Sequence, residues 1–367
     1  MKKIYISAGE ASGDFLGANL AETLLAQDPT LQLVGMGGDK MRQAGVNIVF
    51  DAEKLSVMGF IEVLKKLPSI LWTLHKIKSY FRKNKLDAIV CIDLPDTHFR
   101  FFKLAKKLGI PVFYYVSPQI WAWRYSRITQ IKKYVQHMGV LFSFEEKIYR
   151  TENIPVTFIG HPLAQTAKIT MPKNEAYDFF NLKSNEKIVA LFPGSRHTEL
   201  KNHFALMIES VEKIREKEPN TQFVLALAPH FNVNDMTLPL HIKIIQNNLY
   251  DLLSITDAAI AVSGTITLEI GLMGVPLCVI YRTSPLSAWI AKKLVKTPYI
   301  ALCNIVSEKL IAQELIQEAA TAEAISSEIL ALLHNENYHA KMQSDLLLIK
   351  DKIENKEGVK KFAAEIL

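Results

Sequence analysis

The stretch Asp257-Ala-Ala-Ile-Ala-Val262-Ser263-Gly264-Thr265-Ile-Thr-Leu-Glu269-Ile-Gly-Leu-Met-Gly-Val-Pro276 sets the fold class of this chain. Ala258–Val262 is a short apolar run without alternation, the pattern of a parallel strand buried on both faces. Ser263-Gly264-Thr265 supplies small polar residues suited to opening a helix, in which Thr265 and Glu269 fall four apart on one face. A strand that passes into a helix through so short a turn is half of a βαβ unit, so the chain reads as α/β. The amide N–H groups at such a helix start lack partners, and the helix dipole favours an anion beside them. Two readings stand at this point. A phosphate sits at the turn with Glu269 one turn deeper, accepting from sugar hydroxyls, or the segment is an ordinary strand–turn–helix of the scaffold.

Outward from this stretch the same alternation recurs. In the first half, Ile4–Ala8, Leu31–Gly35, Ala88–Ile92, Val112–Val116, His137–Leu141 and Thr157–Ile159 read as strands. Helices are expected over Gly17–Ala26, Lys40–Gly45 and Phe101–Leu108. The pattern restarts with strands Ile188–Phe192, Phe223–Ala228, Ile242–Ile245, Ala258–Val262 and Leu277–Tyr281, and helices Leu200–Glu216, Tyr250–Ile255 and Leu268–Met273. Thr166–Asn185 is polar, has no clear strand, and reads as the linker. The expectation is two Rossmann-like domains facing across a cleft, residues 1–165 and 166–337, with ligands at the strand C-termini. Residues 338–367 form a helical tail whose Leu346, Leu347, Ile349, Ile353, Phe362 and Ile366 need a partner surface. That surface is expected on an N-terminal domain, its own or that of another protomer.

Composition narrows the class. With 367 residues, 49% hydrophobic and 22% charged, the chain is long enough for two well-cored domains. No run of about 18 uncharged apolar residues offers a spanning helix. The start Met1-Lys-Lys-Ile-Tyr-Ile lacks a signal-peptide pattern, and Cys91, Cys278 and Cys303 have no paired spacing, which fits a reducing cytoplasm. Residues 1–170 hold 23 Lys/Arg against 14 Asp/Glu, or +9, while the remainder is −3. A basic first half suits a phosphorylated substrate or an anionic membrane surface; no nucleic-acid recognition signature accompanies it.

Candidate chemistry falls at strand ends. In Ala8-Gly9-Glu10-Ala11-Ser12-Gly13-Asp14, Gly9 and Gly13 permit close backbone approach, and Ser12 or Asp14 can cap the next helix. The Gly-x-Gly-x-x-Gly fingerprint is missing, and Glu10 would repel a diphosphate. Glu10 therefore suits a sugar or acceptor contact, or ordering of the loop. In Phe192-Pro193-Gly194-Ser195-Arg196, Gly194 and Ser195 place N–H groups for an anion and Arg196 offers a planar fork. Asp93, in Asp93-Leu94-Pro95-Asp96, stands where a general base would accept a hydroxyl proton, and Asp96 suits the helix cap better. Tyr114–Arg124 is aromatic-rich. Ser117 and Trp123 are assigned to a sugar or anionic-lipid pocket, with plain packing the alternative for one of Trp121 and Trp123. No Asp-x-Asp and no metal-spaced His/Cys/carboxylate cluster occurs, so no metal and no cofactor is expected; Arg196 and helix N-termini would neutralise a leaving diphosphate.

Val57–Lys85 carries seven Lys/Arg and only Glu62 among acids, with more apolar surface than one core face needs. Phe60, Ile61, Leu64, Leu67, Ile70 and Leu71 are expected to face an anionic membrane interface. Pro68 is expected to split the segment into two short helices.

Together these residues resemble the lipid-A-disaccharide synthase family, bacterial glycosyltransferases of the two-Rossmann-domain (GT-B) class. The resemblance runs nearly end to end. It is carried by residues 8–14, Val-Met-Gly-Phe-Ile-Glu-Val-Leu (57–64), Ile-Asp-Leu-Pro-Asp (92–96) and Tyr-Val-Ser-Pro-Gln-Ile-Trp-Ala-Trp-Arg (115–124). Phe-Ile-Gly-His-Pro (158–162), Pro-Gly-Ser-Arg (193–196), Ser-Gly-Thr…Leu-Glu (263–269), Tyr-Arg-Thr-Ser-Pro (281–285) and Leu-Val-Lys-Thr-Pro-Tyr (294–299) complete the set. It implies inverting transfer of the sugar of UDP-2,3-diacylglucosamine to the 6-hydroxyl of 2,3-diacylglucosamine 1-phosphate (lipid X), giving UDP and the β-1,6 disaccharide 1-phosphate. It also implies a homodimer with a C-terminal exchange, peripheral on the cytoplasmic face of the inner membrane. Asp93 matches the family's proposed base, Arg196 its diphosphate-side arginine, Asn304 an active-site asparagine and Glu269 the ribose carboxylate; Asn247 and Arg282 are carried over as substrate-binding. Two departures stand out. The family's Leu-Pro-Asn-Leu-Leu-Ala-Gly-Arg is Leu302-Cys303-Asn304-Ile305-Val306-Ser307-Glu308-Lys309 here, and its Asp-Gly turn is Gln246-Asn247, with Asn247 expected to tolerate the left-handed geometry. Two rival readings stand: a UDP-sugar epimerase or hydrolase on the same scaffold, and a non-catalytic membrane-bound nucleotide-sugar binding protein, which only the altered 302–309 segment supports.

Overall fold

The computed structural model describes residues 1–9, 11–52, 60–233, 239–285, 287–289 and 297–367, with the side chains of 11 and 60–71 outside the description. The chain divides into two units, Met1–Pro162 with Asn355–Leu367, and Leu163–Glu354. The first unit holds β1 (Lys3–Ser7), β2 (Gln32–Gly37), β3 (Asn47–Asp51), β4 (Ala88–Ile92), β5 (Val112–Val116), β6 (Val135–Val140) and β7 (Val156–Phe158). They form one sheet in the order β3-β2-β1-β4-β5-β6-β7, every described pairing parallel. The second unit holds β8 (Ile188–Phe192), β9 (Gln222–Ala226), β10 (Ile242–Ile245), β11 (Ala258–Val262), β12 (Leu277–Tyr281) and β13 (Gln313–Ile316). Its order, β10-β9-β8-β11-β12-β13, repeats the same topology. In each sheet the winding reverses beside the first strand, between β1 and β4 and between β8 and β11. Such a reversal opens a crevice at the strand C-termini.

The burial pattern explains why these segments are strands. All five residues of β4, β5, β8 and β11 are buried, as a sheet covered by helices on both faces requires. In the first unit, Tyr5, Ile89, Cys91 and Tyr114 enter one core while Ile4, Ile6, Val90 and Tyr115 enter another. Successive residues of each strand thus feed opposite faces.

Three expectations change. The helix Phe60–Lys83 runs unbroken through Pro68. Proline deletes one i→i−4 bond there, and the turns on either side keep theirs. The presumed linker contains the helix Lys173–Phe179, and Ala176, Phe180 and Leu182 join a buried cluster with Ile188 and Val224. The C-terminal tail leaves the second unit at residue 355, not 338. Leu346, Ile349 and Ile353 are fully buried in the second unit, where Leu346 and Ile349 close over Gly271. Only the last helix, Gly358–Ile366, joins the first unit, of its own chain. Asn355 Nδ2 donates to the Phe158 carbonyl at 2.6 Å, and a Cβ on Gly358 would stand 2.6 Å from the Ile159 backbone. The buried Phe362 ring lies 5.1 Å from Tyr115.

Candidate active site

In the second unit, β8 and β11 pair in parallel with Phe192 opposite Ala261, so the turns that follow them open at the same height. Above them lies a cavity of about 1720 Å³. It is lined by Gly194, Ser195 and Arg196 from one turn, Ser263, Gly264, Thr265 and Glu269 from the other, and Asn247 and Arg282 from flanking loops. Nine residues singled out from the sequence thus meet at one concavity. Gly264 and Thr265 are exposed at the start of the helix Thr265–Leu272. A Cβ on Gly264 would meet nothing within 4 Å, so the space above this turn is open. Ser263 Oγ donates to the Ile300 carbonyl at 2.8 Å, and Thr267 Oγ1 accepts from the Leu302 amide at 3.0 Å, which ties the turn to the segment behind it.

Glu269 is largely removed from water, and burial raises its pKa, offset in part by the hydroxyl of Tyr250. Tyr250 Oη donates to Glu269 Oε1 at 2.8 Å, so one carboxylate oxygen of this cavity-lining residue is held by the protein itself. Nothing in the sequence announced Tyr250, because the pair is 19 residues apart on separate helices.

The turn after β8 differs from its expected form. Glu199 Oε2 accepts from the Ser195 amide at 2.9 Å and from the Arg196 amide at 3.2 Å. Of the two N–H groups assigned to an external anion, those of Gly194 and Ser195, the Ser195 one is therefore held by an internal carboxylate, which also neutralises the start of the helix His197–Lys217. The signal was legible, since a Glu three residues past a helix cap is the capping-box spacing. Gly194 is needed on two counts: its φ is +102°, and a Cβ would stand 2.6 Å from Glu199. The Arg196 guanidinium is three-quarters exposed and 3.3 Å from Glu199 Oε1. Such an exposed pair is weak and leaves the cation free to exchange partners.

Asn304 is not at this cavity. It is fully buried, its Nδ2 donates to the Ala312 carbonyl and Glu314 Oε1, both at 2.8 Å, and its Oδ1 accepts from the Ile311 and Ala312 amides, both at 2.9 Å. That uses its full hydrogen-bonding capacity. Asn304 therefore braces the segment under the Ser263 turn and has nothing left for a ligand. In the next departure, Asn248 (φ +56°), not Asn247, takes the left-handed position. Gln246 Nε2 reaches the Phe231 carbonyl at 2.8 Å. Arg282 is committed through its guanidinium to the Ala320 carbonyl at 2.5 Å, and its amide donates to His203 Nε2 at 2.7 Å.

In the first unit the corresponding strand ends are those of β1 and β4. Glu10 lies outside the described residues. Ser12 is an exposed residue inside the helix Ala11–Gln27, not its cap. Asp14 caps a different helix, Asp39–Gln43, accepting from the amides of Gly38 (2.7 Å), Lys40 (3.0 Å) and Met41 (3.2 Å). Asp93 and Leu94 both have left-handed backbones, φ +53° and +44°, a conformation costing roughly 1–2 kcal/mol per non-glycine residue. Two such residues in succession, just past the end of β4, concentrate strain at the strand end.

The turn after β5 is mostly scaffold. Ser117 is buried, with Oγ 2.7 Å from Tyr149 Oη and 2.9 Å from the Pro118 carbonyl, so it faces no ligand. Trp121 Nε1 donates to Glu145 Oε1 at 3.1 Å. Burial pushes the Glu145 carboxyl up to about 7 against hydrogen bonds from the Phe142 amide, Trp121 and the Leu141 amide. Trp123 is the exposed one of the pair, and the Arg124 guanidinium lies 4.2 Å from its ring centroid. The side chains of Phe60, Ile61, Leu64, Leu67, Ile70 and Leu71 are outside the description. Farther along that helix, Trp72 is exposed with the Lys76 ammonium 3.3 Å from its ring centroid.

Comparison with known proteins gives a consistent picture. A sequence profile described as lipid-A-disaccharide synthetase matches residues 4–366. The lipid-A-disaccharide synthase of Coxiella burnetii (strain Dugway 5J108-111) is 48% identical over 339 residues, 92% of this chain and 90% of that one. That of Geobacter sulfurreducens is 39% identical over 356 residues, 96% and 93% of the two chains. Among solved structures, the glycotransferase of kitacinnamycin superposes with TM-score 0.61 at 15% identity, covering 100% of this chain and 98% of that one. The UDP-GlcNAc 2-epimerase from Neisseria meningitidis bound to UDP-GlcNAc does so with TM-score 0.58 at 17% identity, with 100% and 98% covered. At such identities the structures speak to fold, and the two-Rossmann-domain class is theirs in common.

Proposed function

The chain belongs to the lipid-A-disaccharide synthetase family, and from that membership we propose that it joins UDP-2,3-diacylglucosamine to 2,3-diacylglucosamine 1-phosphate with release of UDP. It is a glycosyltransferase of lipid A biosynthesis. The observation that carries the reading is the cavity over β8 and β11, where an exposed helix start, an exposed arginine and a half-buried carboxylate converge. In this reading the diphosphate lies at Ser263–Thr265, and Arg196 exchanges Glu199 for its oxygens. Glu269, oriented by Tyr250, accepts from the ribose hydroxyls. Asp93 takes the proton of the acceptor 6-hydroxyl, and that oxygen attacks the anomeric carbon. The bond from anomeric carbon to phosphate oxygen breaks, and UDP leaves carrying the electron pair. One displacement inverts the anomeric centre, and no metal or cofactor is assigned a step.

The first unit's partner is an anionic membrane surface on the cytoplasmic side of the inner membrane. Exposed Trp72 beside Lys76, on a helix with a basic C-terminal half, supports this. Among the described residues no helix is long and apolar enough to cross a membrane. A homodimer is the assembly that family membership suggests, and light scattering on the purified protein tests it.

The deciding experiment incubates the protein with UDP-2,3-diacylglucosamine with and without the acylated acceptor and follows products by mass spectrometry. Disaccharide 1-phosphate and stoichiometric UDP are expected only with acceptor. UDP release that ignores the acceptor would replace the transferase reading with the hydrolase or epimerase one.

A further inference from the structure

His98 is fully buried at the head of the helix Pro95–Lys107. Its Nδ1 lies 2.7 Å from the Asp93 carbonyl oxygen, and its Nε2 lies 2.9 Å from Ser7 Oγ. A carbonyl can only accept, so Nδ1 carries the proton. Burial lowers the His98 pKa to about 4, so the ring is neutral at pH 7, and Nε2, lacking hydrogen, accepts from the Ser7 hydroxyl. Tyr114 Oη donates to the same Asp93 carbonyl at 2.6 Å. Edge contacts to Phe101 and Tyr114, with ring centroids 5.5 and 5.8 Å away, hold the imidazole plane.

We propose that His98 is the positioning residue of Asp93: clamped by Ser7 at the end of β1, it pins the Asp93 carbonyl and so holds the left-handed turn from which the carboxylate projects. The inference rests on the reading of Asp93 as the base. The physical content is a torsional one. Two donors on one carbonyl fix the plane of the Asp93–Leu94 peptide, and that plane sets the direction of the Asp93 Cα–Cβ bond. Asp93 and Leu94 (φ +53° and +44°) would relax toward a right-handed or extended backbone without that restraint. A relaxed turn moves the carboxylate by an ångström or more, enough to cost on the order of 10- to 100-fold in rate. Ser7 reaches the imidazole from the strand adjacent to β4. The clamp thus spans the point where the sheet winding reverses. His98 itself touches no reacting atom.

The test uses four variants in the full-length protein, each checked for a native thermal transition. His98→Leu removes both hydrogen bonds, and His98→Asn keeps a donor near the Nδ1 position. His98→Gln moves the donor toward Ser7, and Asp93→Asn probes the base itself. The expected result is a fall in kcat on the order of 10- to 100-fold for His98→Leu and His98→Gln, with KM for both substrates unchanged and with kcat largely restored in His98→Asn. Nitrogen-15 NMR of the imidazole is expected to show the Nδ1–H tautomer between pH 5.5 and about 8, the range in which a ring of low pKa stays neutral. A kcat within about 3-fold of wild type in folded His98→Leu, while Asp93→Asn is inactive, overturns the role of His98 and leaves the base reading standing. Normal turnover in Asp93→Asn instead removes the base reading. An Nε2–H tautomer overturns the clamp whatever the kinetics show.

Discussion

Leu94 fills the space where Gly9 would carry a side chain: a Cβ on Gly9 would stand 1.7 Å from Leu94 Cδ1 and 2.6 Å from its Cγ. The loop after β1 and the loop after β4 therefore interlock at the winding reversal of the first sheet, and Leu94 is one of the two residues held left-handed there. Gly9→Ala should push Leu94 out of place and disturb Asp93 through its neighbour. A loss of roughly 1–3 kcal/mol in stability, the overpacking scale, and a drop in turnover are expected. The pairing with Leu94→Ala should recover most of the stability. Denaturant unfolding of the two single variants and the double variant measures it. A purely additive result would mean the two side-chain positions do not compete.

Gly264 is the opposite case. Its φ of +164° is extended backbone that any residue adopts, and a Cβ there would meet nothing within 4 Å. Gly264→Ala should fold and melt as the wild type does, within about 0.5 kcal/mol. The new methyl group would occupy the space proposed for the diphosphate, so the KM for donor and the Kd for UDP should rise by an order of magnitude or so, equivalent to about 1.4 kcal/mol. Calorimetric titration with UDP decides it. Unchanged UDP affinity would move the diphosphate away from this turn.

Glu308 occupies a position where the family pattern has glycine, and its φ is +54°. The neighbouring Lys309, where that pattern has arginine, pairs with Asp345 at 2.7 Å within the second unit. Glu308 therefore carries backbone strain that a glycine would not. Glu308→Gly should stabilise the second unit by roughly 0.5–1 kcal/mol, the usual gain from relieving a left-handed side-chain residue net of glycine's entropy. Thermal melts at matched pH check the sign, and a lower melting temperature would show that the Glu308 side chain supplies more than the strain removes.

How far the sequence could be read depended on burial. The bounds of β4, β5, β8, β10, β11 and β12 coincide with those read from the residues; all but β10, which carries Lys243, are uniform apolar runs between polar turns, and such runs leave little freedom in where a strand ends. β3 (Asn47–Asp51) and β13 (Gln313–Ile316) went unread, since Asn47, Asp51, Gln313 and Glu314 break the apolar run that marks a buried strand. At the site, residues at strand C-termini were legible because the fold class says where ligands go. The partners that orient them were not. Tyr250 for Glu269 and His98 for Asp93 depend on side-chain directions that no local pattern encodes. Asn304 was misread for the same reason: a polar residue in a functional motif braces the scaffold as readily as it meets a ligand, and only its four satisfied hydrogen bonds separate the two.

Acid should destabilise the first unit through histidines that burial holds below their usual pKa, namely fully buried His98, half-buried His161 and, in the same direction, His137. Burial lowers both His98 and His161 from 6.5 to about 4, and His161 stacks on Phe142 with ring centroids 5.3 Å apart. A histidine whose folded pKa lies below its unfolded value contributes stability that is present above pH 6.5. That stability is lost as pH falls from about 6.5 through 4, because the unfolded chain takes up the proton first. Each shift corresponds to something on the order of 3 kcal/mol when fully expressed. Glu145 works the other way: raised from 4.5 to about 7, its contribution is present below pH 4.5 and lost as pH rises through 7. Between pH 6.5 and 4.5 the histidines outweigh the one carboxyl, so net stability should fall with acid. His161→Phe keeps a ring against Phe142 and deletes one of these titrations. Its denaturation midpoint should therefore depend visibly less on pH across this window than that of the wild type. Parallel curves for the two proteins would mean that His161 is already protonated, or already solvated, in the folded state.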